Sequence, residues 1–296
     1  MAAPGLATQG RPQRAARQQS IIMPELPEVE HVVRALSPLV TGRRILAAEL
    51  NLKRIAPGIS RPGFDRRLRN TLITGVGRRG KYILFQLESG HVLTTHLRMT
   101  GKFVSLTTDQ SLPPYAHVIF YLDDDRRLVF CDMRQFGRMQ IFKDALRPPK
   151  ELQTLAPEPL SDEFTEEYFL ETLARSGRPL KHLLLDQTRV LGLGNIYAVE
   201  ALFLAGISPM KAANKLSKPR ARKLYQAIRD VLQEAIDAGS TLKIDLADGN
   251  GSYFGTSERF WRVYEREGEA CVRCGKRIRR VVQGGRSTYF CHGCQR

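Results

Sequence analysis

The sequence predicts an α+β protein of two domains: an N-terminal β-sandwich with an N-terminal helix, and a C-terminal helical domain that ends in a cysteine-bearing hairpin. Three observations predict this class. Short strand-like segments with tight turns run through residues 43–143, as in sandwiches and barrels. Helical periodicity follows from residue 163 to 238, and short strands then return around four cysteines. The 296 residues suffice for two domains of ordinary size.

Residues 1–22 differ in composition from everything that follows. They contain Arg11, Arg14 and Arg17, no acidic residue, and no apolar stretch long enough for a secretion signal. An organellar transit peptide has a similar arginine-rich composition. We expect instead a disordered extension or a start codon placed too far upstream, with the folded part beginning at Met23.

The segment Pro24-Glu25-Leu26-Pro27-Glu28-Val29-Glu30 predicts the first helix. Proline suits the first helical turn, and acidic residues there oppose the positive end of the helix dipole. Val29, Val32, Val33 and Leu36 continue at the i, i+3, i+4, i+7 spacing of an amphipathic helix. This interpretation is purely structural.

The same segment also permits a chemical interpretation. A proline directly after Met23 becomes the N-terminus if translation starts there and the methionine is removed. Its amine is then a nucleophile, because an α-amino group titrates at about 7.7–8.0 whereas lysine titrates at about 10.4. Such an amine can attack a sugar C1′ and form a Schiff base, while the Glu25 carboxylate handles protons beside it. Both interpretations hold together if the helix positions the terminus.

The remaining elements follow in order along the chain. The predicted strands include Tyr82–Leu87, Val92–Leu97, His117–Leu122 and Arg127–Phe130. The predicted helices are Glu163–Arg175, Pro179–Asp186, Asn195–Ala205 and Lys218–Ala238. The expected domains are 23–146 for the β-sandwich, 147–160 for a proline-rich linker, 161–262 for the helices and 263–296 for the cysteine hairpin.

Net charge points to a polyanionic partner. Lysine and arginine number 46 against 30 acidic residues, which gives +16 and a pI near 10.0. Neutralising phosphates releases condensed counterions, so such a protein favours nucleic acid. An acidic membrane surface is disfavoured, because no apolar run approaches about 18 residues and no basic amphipathic helix stands out.

Four of the five cysteines have the spacing of a zinc ribbon, in the order Cys271, Cys274, Cys291 and Cys294. Two Cys-x2-Cys knuckles complete a closed tetrahedron of thiolates around one ion. A closed site leaves no position for a catalytic water, so the sequence predicts one structural zinc ion. Basic residues between the knuckles, among them Arg286, favour contact with phosphate over a merely solvated hairpin.

Two further segments each have two interpretations. The turn Leu191–Asn195 precedes a predicted helix, where free N–H groups can bind phosphate, or it is simply an inter-helix turn capped by Asn195. Met99 and Phe136 are core residues by default. On an extended segment, however, Arg134 and Phe136 share one side and could fill the space left by an extruded base.

Together these motifs resemble the formamidopyrimidine-DNA glycosylase and endonuclease VIII family, over a match that runs from Pro24 to about Arg296. Besides the N-terminal segment and the cysteines, the resemblance rests on 78–82 (Arg-Arg-Gly-Lys-Tyr), 96–101 (His-Leu-Arg-Met-Thr-Gly), 134–137 (Arg-Gln-Phe-Gly) and 192–197 (Gly-Leu-Gly-Asn-Ile-Tyr). Leu26 favours the formamidopyrimidine branch, because endonuclease VIII relatives typically have glycine there. Gln135 stands where relatives often carry a basic residue, so we expect one phosphate contact to be weaker.

The resemblance implies roles for individual residues. Pro24 would be the Schiff-base nucleophile and Glu25 its acid/base partner. The expected catalytic set is Pro24, Glu25, Glu28, Lys81 and Arg286. The expected DNA contacts are Met99, His117, Arg134, Phe136, Lys181, Asn195 and Arg286, within a helix–two-turn–helix domain and a zinc-ribbon hairpin. The segment Thr241–Phe254 resembles the loop that closes over the lesion.

The implied function is a bifunctional DNA glycosylase and abasic-site lyase of base excision repair. It would excise 8-oxoguanine opposite cytosine and formamidopyrimidines, then cleave the strand by β,δ-elimination. Endonuclease VIII-like action on oxidised pyrimidines and a non-enzymatic zinc-ribbon DNA-binding protein remain alternatives. The resemblance also implies double-stranded DNA as partner, a monomer, no membrane association and a cytoplasmic location at the bacterial nucleoid.

Overall fold

The computed structural model describes residues 23–143, 148–238, Leu246 and 261–296. The expected extension at 1–22 and, apart from Leu246, the expected loop Thr241–Phe254 lie outside the described residues. The strands are β1 Arg44–Leu50, β2 Thr71–Arg79, β3 Tyr82–Leu87, β4 His91–His96, β5 Gly101–Thr107, β6 Ala116–Leu122, β7 Arg126–Asp132, β8 Arg138–Lys143, β9 Arg279–Gln283 and β10 Arg286–Phe290. The helices are α1 Leu26–Val40, α2 Arg61–Leu68, α3 Lys150–Gln153, α4 Glu166–Ala174, α5 Leu180–Leu184, α6 Asn195–Ala205 and α7 Lys218–Asp237.

Two antiparallel layers of four strands form the N-terminal domain. One layer has the order β5-β7-β6-β1 and the other β2-β3-β4-β8, and a short pairing of β1 with β2 joins them. Aromatic rings fill the space between the layers. The ring centroid of Phe103 on β5 lies 5.6 Å from that of Phe85 on β3 and 5.3 Å from that of Phe130 on β7. The predicted β-sandwich is therefore confirmed.

Helix α1 packs against both domains. Its predicted apolar stripe is confirmed, since Val29, Val32 and Leu36 are fully buried in the sandwich core. Leu26, one turn earlier, belongs instead to the apolar core of the helical domain. Because its first residue packs in the helical domain and its later turns pack in the sandwich, α1 fixes the two domains against each other.

The strand-based expectation for residues 43–143 misses helix α2. Ser60 caps this helix by accepting a hydrogen bond from the Gly63 N–H at 3.1 Å, and Pro62 stands in its first turn. Phe64 and Leu68 are fully buried, while most of the other helical positions are polar. Two apolar positions in eight residues are too few to show helical periodicity.

The C-terminal helices confirm the predicted helical domain with small shifts at the ends. Helix α6 has the predicted limits, and α7 ends one residue before the predicted Ala238. Residues of α6 are buried nearly all around, because α5, α7 and the hairpin surround it. The proline-rich stretch before these helices contains α3 and buries Leu152 and Ala156. Among the described helices, none is long and apolar enough to cross a lipid bilayer.

Strands β9 and β10 form the C-terminal hairpin. Arg286 pairs with Gln283, so the turn consists of Gly284 and Gly285 alone. Both glycines have positive φ, 54° and 72°, as a two-residue turn between twisted strands requires. This tight turn places Arg286 at the tip of the hairpin.

Candidate active site at the domain junction

The head of α1 meets the turn before α6 at very short range. The Leu26 N–H donates to the Gly192 carbonyl at 3.0 Å. A Cβ added at Gly192 would lie 2.4 Å from the Leu26 side chain, and one at Gly194 would lie 2.4 Å from Cδ of Glu25. Only glycine permits this approach. We call this contact, together with buried Pro24 and Lys81, the domain junction.

Backbone N–H groups of α6 hold the Glu25 carboxylate. Its Oε1 accepts from Ile196 at 2.8 Å, and its Oε2 accepts from Gly194 at 2.5 Å and Tyr197 at 3.3 Å. These are the unpaired N–H groups at a helix start, which favour an anion. Burial nevertheless raises the pKa of Glu25 to about 7, although the Lys81 charge acts in the opposite direction. Near neutral pH this carboxyl group can therefore both donate and accept a proton.

Two other predicted residues lie in the same junction. The Lys81 ammonium donates to the Leu193 carbonyl at 2.9 Å, and burial lowers its pKa despite the nearby Glu25 charge. Glu28 accepts from the Tyr197 hydroxyl at 2.6 Å and from the Glu25 N–H at 3.0 Å. The structure thus brings Glu25, Glu28 and Lys81 together, with buried Pro24 next to Glu25 in the chain.

The β2–β3 turn that carries Lys81 is held by two carboxylates. Arg78 pairs with Glu30 of α1 at 3.0 Å and with Glu158 at 2.8 Å. Glu158 also accepts from the Gly80 N–H at 2.5 Å. These contacts of Glu30 and Glu158 with Arg78 and the Gly80 N–H therefore fix the position of Lys81, the next residue.

The zinc-ribbon hairpin reaches the helical domain beside the junction. Asn195 Nδ2 donates to the Ser287 carbonyl at 3.0 Å, and Lys181 Nζ donates to the same carbonyl at 2.9 Å and to the Thr288 hydroxyl at 2.6 Å. Burial, aided by the Arg286 charge, lowers the pKa of Lys181 to about 8. The Arg286 charge also lowers the pKa of Lys81, so the hairpin tip lies near both lysines.

Two details of this region differ from the sequence-based interpretation. The N-cap of α6 is Gly194, and Asn195 is the first helical residue, so the expected capping role of Asn195 is wrong. Lys181 is fully buried against the hairpin. Its contact with DNA phosphate, like that of Asn195, stays a prediction.

Met99, Arg134 and Phe136 come together on an exposed tip of the sandwich, which we call the wedge. The Arg134 guanidinium lies 4.9 Å from the ring centroid of Phe136 and donates to Met99 Sδ at 3.6 Å. Phe136 is 41% exposed and Met99 is half-buried, so the default assignment of both to the core is wrong. Exposed apolar groups joined to a cation suit insertion into a base stack.

The buried Asp132 side chain supports the wedge from behind. Its carboxylate accepts from the Thr100 hydroxyl and, at 2.7 Å, from the Gly137 N–H. The Thr100 hydroxyl in turn accepts from the Arg134 N–H at 3.0 Å, and His117 Nε2 lies 3.0 Å from the Asp132 carbonyl. His117 therefore lies at the base of the wedge, in contact with Asp132 behind the exposed side chains.

The four cysteines fit one zinc ion. Their sulfur atoms lie within 4.8 Å of one another, with 3.8 Å between Cys271 and Cys294 and 3.4 Å between Cys274 and Cys291. Zn–S bonds of about 2.3 Å in a tetrahedron require S–S distances of about 3.8 Å. Four thiolates close the coordination sphere, so the predicted structural zinc site is confirmed.

Sequence reasoning missed several residues that hold these groups. Among them, Glu200 is a buried carboxylate that accepts from three consecutive N–H groups at the root of the hairpin, those of Arg262, Val263 and Tyr264, at 2.8–2.9 Å. A lone acid within the apolar helix α6 was the available signal. Asp132 precedes the 134–137 motif by two residues and Glu158 lies between two prolines, and nothing in the sequence shows what either contacts.

Comparison with known proteins shows the same three-part organisation. Residues 23–139 match the model of the formamidopyrimidine-DNA glycosylase N-terminal domain, and 155–245 match that of the formamidopyrimidine-DNA glycosylase H2TH domain. Residues 268–296 match the zinc finger found in FPG and IleRS. The three matches follow the order of the sandwich, the helices and the hairpin.

Curated relatives and solved structures align along almost their whole length. A formamidopyrimidine-DNA glycosylase of Pelotomaculum thermopropionicum is 44% identical over 93% of this chain and 99% of its own, and that of Bacillus subtilis is 41% identical over 92% and 99%. Lactococcus lactis Fpg in complex with DNA containing an abasic site has a TM-score of 0.83 and 35% identity, and the same protein with FAPY-dG DNA has 0.83 and 34%; each alignment covers 92% of this chain and 99% of that one. The chain therefore belongs to the formamidopyrimidine-DNA glycosylase family.

Proposed function

We propose that this protein excises oxidised purines from duplex DNA and then cleaves the resulting abasic strand, with Pro24 as the nucleophile. The curated relatives are named formamidopyrimidine-DNA glycosylase, and similar structures hold DNA with FAPY-dG, carbocyclic 8-oxo-G or an abasic site. The observation that carries the proposal is the domain junction. It places a carboxyl group with a pKa of about 7 on the residue next to Pro24 and beside Lys81.

Access to the damaged base requires extrusion from the duplex. Extrusion costs a few kcal/mol, because stacking and pairing are lost. Insertion of the wedge offsets part of that cost and kinks the duplex. The predicted role of Arg134 is to face the cytosine left behind, and its guanidinium is held for this by Met99 and Phe136.

The chemical steps use the free amine of Pro24. The amine attacks C1′, the bond from C1′ to the base breaks, and the base leaves with the bonding electrons and takes up a proton. Opening of the sugar ring gives an iminium, and protonated Glu25 can supply the proton that the ring oxygen needs. The iminium withdraws electrons from the C2′–H bond, so a basic group can remove that proton. The 3′ phosphate then leaves. A second elimination releases the 5′ phosphate, and hydrolysis of the iminium frees the amine.

The zinc ion has a structural part in this scheme. Four thiolates leave no ligand position for a sugar or phosphate oxygen. The ion holds the hairpin that carries Arg286 and Ser287, which lie beside Lys181 and Asn195. We further propose that Arg286, Lys181 and Asn195 bind phosphates of the DNA. The protein would act there as a monomer at the nucleoid.

The mechanism sets a requirement on the start of the active chain. While Met23 is joined to Pro24, the proline nitrogen is an amide nitrogen and is not nucleophilic. We therefore propose that the active form begins at Pro24.

Borohydride trapping on a duplex with 8-oxoguanine opposite cytosine tests this proposal. A protein that begins at Pro24, verified by intact mass, should form a covalent adduct, whereas one that still carries residues before Pro24 should not. Pro24→Gly keeps a free terminus but replaces the secondary amine, so we expect excision to fall by about 10²-fold with lesion binding nearly unchanged. Unchanged excision by this variant, or no adduct from a folded, zinc-loaded Pro24 form, would refute the proposal. Competing thymine glycol duplexes would show whether oxidised pyrimidines are preferred.

A further inference from the structure

A strongly basic segment of the sandwich takes no part in the site described above. Residues 51–70 contain six cations and one acid, a net +5 out of +16 for the whole chain. The cations Lys53, Arg54, Arg61, Arg66 and Arg67 are all exposed, and we call them the α2 basic face. Asp65, the acid, is already engaged by Arg69 at 2.8 Å and by the Ala48 N–H at 2.8 Å.

The α2 basic face rests on a rigid support. Ile55, Phe64 and Leu68 are each 0% exposed and belong to the sandwich core. Arg66 and Arg67 have no ion-pair or hydrogen-bond partner in the described part of the chain. The segment therefore presents cations outward from a fixed position, and acidic side chains neutralise little of their charge.

Hydrogen bonds place this face beside the wedge. The Asn51 N–H donates to the His117 carbonyl at 2.8 Å, and His117 Nε2 lies 3.0 Å from the carbonyl of Asp132, which supports the wedge. Arg61 donates to the Asn51 carbonyl at 2.8 Å and so joins α2 to the same chain of contacts. The short 3₁₀ turn Lys53–Ile55 also packs on β8, the strand that follows the wedge. The segment that carries the α2 basic face is thus tied to the base of the wedge.

We propose that the α2 basic face, chiefly Arg66 and Arg67, binds the phosphates of a duplex arm that flanks the lesion. A side-chain wedge kinks the duplex, so one arm turns toward protein surface that straight DNA would miss. Phosphate contacts of exposed arginines release counterions and need no particular base sequence. The inference rests on the proposed function only in taking DNA as the partner, and its test needs no excision.

The test compares duplexes of two lengths. One has about one helical turn (~10 base pairs), and the other has about four turns (~40 base pairs), each centred on the same uncleavable abasic-site analogue. The variant is Arg66→Gln with Arg67→Gln. The matched control is Arg175→Gln with Arg222→Gln, which removes the same charge from exposed cations that are already paired with Glu171 and Glu166.

The expected result is a loss confined to the long duplex. Two lost phosphate contacts should lower the slope of log Kd against log salt by up to about 1.8 and weaken binding about three- to tenfold at physiological salt. Affinity for the short duplex and excision from it should match the wild type, so failure of the proposed function would be seen separately. An unchanged long-duplex slope, or an equal loss in the control or on the short duplex, would overturn the inference. Loss of binding to anionic lipid vesicles with DNA binding unchanged would also overturn it.

Discussion

The domain junction and the wedge solve opposite physical problems. At the junction, charged groups are buried and held by backbone N–H and carbonyl groups from a distant part of the chain, as with Glu25 on the start of α6. At the wedge, apolar groups are exposed, and the buried carboxyl group of Asp132 lies behind them. Chemistry needs a shifted pKa and close approach, whereas insertion into DNA needs exposure and a rigid base.

This contrast shows where each region is vulnerable. The junction depends on space, because Gly194 approaches Glu25 so closely. The wedge depends on one anchor, because Asp132 joins Thr100 to Gly137. Substitutions at these positions should therefore affect different steps of the reaction.

Gly194→Ala should have the largest effect. Its Cβ would lie 2.4 Å from Cδ and 2.5 Å from Oε1 of Glu25, so the carboxylate must move. Misplacement of about 1 Å at a reacting group can cost about 10²-fold, and we expect at least this loss in single-turnover excision. Gly177→Ala is the control, since its Cβ would meet only Asn214 Nδ2 at 3.9 Å. Equal activities of the two variants would show that the junction tolerates displacement.

Asp132→Asn should separate the wedge from the chemistry. If the amide oxygen keeps the Gly137 N–H, the amide NH2 faces Thr100, whose hydroxyl must then change from donor to acceptor although it already accepts from the Arg134 N–H. We expect excision of a paired 8-oxoguanine to fall about ten- to hundredfold, with a smaller loss for cleavage at an abasic site, where no base must leave the stack. Asp123→Asn in an exposed turn is the control. Equal losses on both substrates would assign Asp132 a general structural role.

The pH dependence should distinguish the regions through their ionisable groups. Glu25 has its pKa raised to about 7 by burial, so its protonated form becomes scarce as the pH rises above 7. Up to about pH 8 the growing fraction of free Pro24 amine offsets this loss, so excision should fall toward ~tenfold per pH unit only above that pH, while Glu25→Gln should show no such fall and be slow throughout. Lesion binding does not need this proton, so it should change much less, with only a modest weakening above about pH 8, where Lys181 loses its charge. Parallel profiles for binding and excision would contradict this assignment.

Glu158→Gln should have the smallest effect. The amide removes the charge that pairs with Arg78, but its oxygen can still accept from the Gly80 N–H. We expect a loss of about 1–2 kcal/mol in the free energy of unfolding and a few-fold slower excision through a looser Lys81. Glu171→Gln, which breaks the exposed pair with Arg175, should change neither quantity measurably. A hundredfold loss for Glu158→Gln would make the β2–β3 turn as critical as Gly194.

The features that the sequence predicts well are local. The cysteine spacing, the stripe from Val29 to Leu36 and the limits of α6 each depend on residues close in the chain. The partners of Glu25 could not be predicted, because Gly194 lies 169 residues away. Phe136 shows another limit, since an aromatic residue is usually buried, whereas this one is 41% exposed on a turn that the Asp132 carboxylate holds through the Gly137 N–H.

Helix α6 sets the distance between the zinc site of the four cysteines and the Glu25 carboxylate. Its 11 residues span about 16 Å, with the Glu25 carboxylate on its first N–H groups. Its other end is tied to the ribbon, where Arg273 donates to the Phe203 carbonyl at 2.9 Å and the Arg296 N–H donates to the Gly206 carbonyl at 3.3 Å. Because a helix resists both stretching and bending over this length, the distance from the cysteine knuckles to the Glu25 carboxylate is set by the number of residues in α6. An inserted residue in α6 would shift one end of the helix by about 1.5 Å and rotate it by about 100°. The cysteine site and the Glu25 carboxylate would then no longer keep their present relative position.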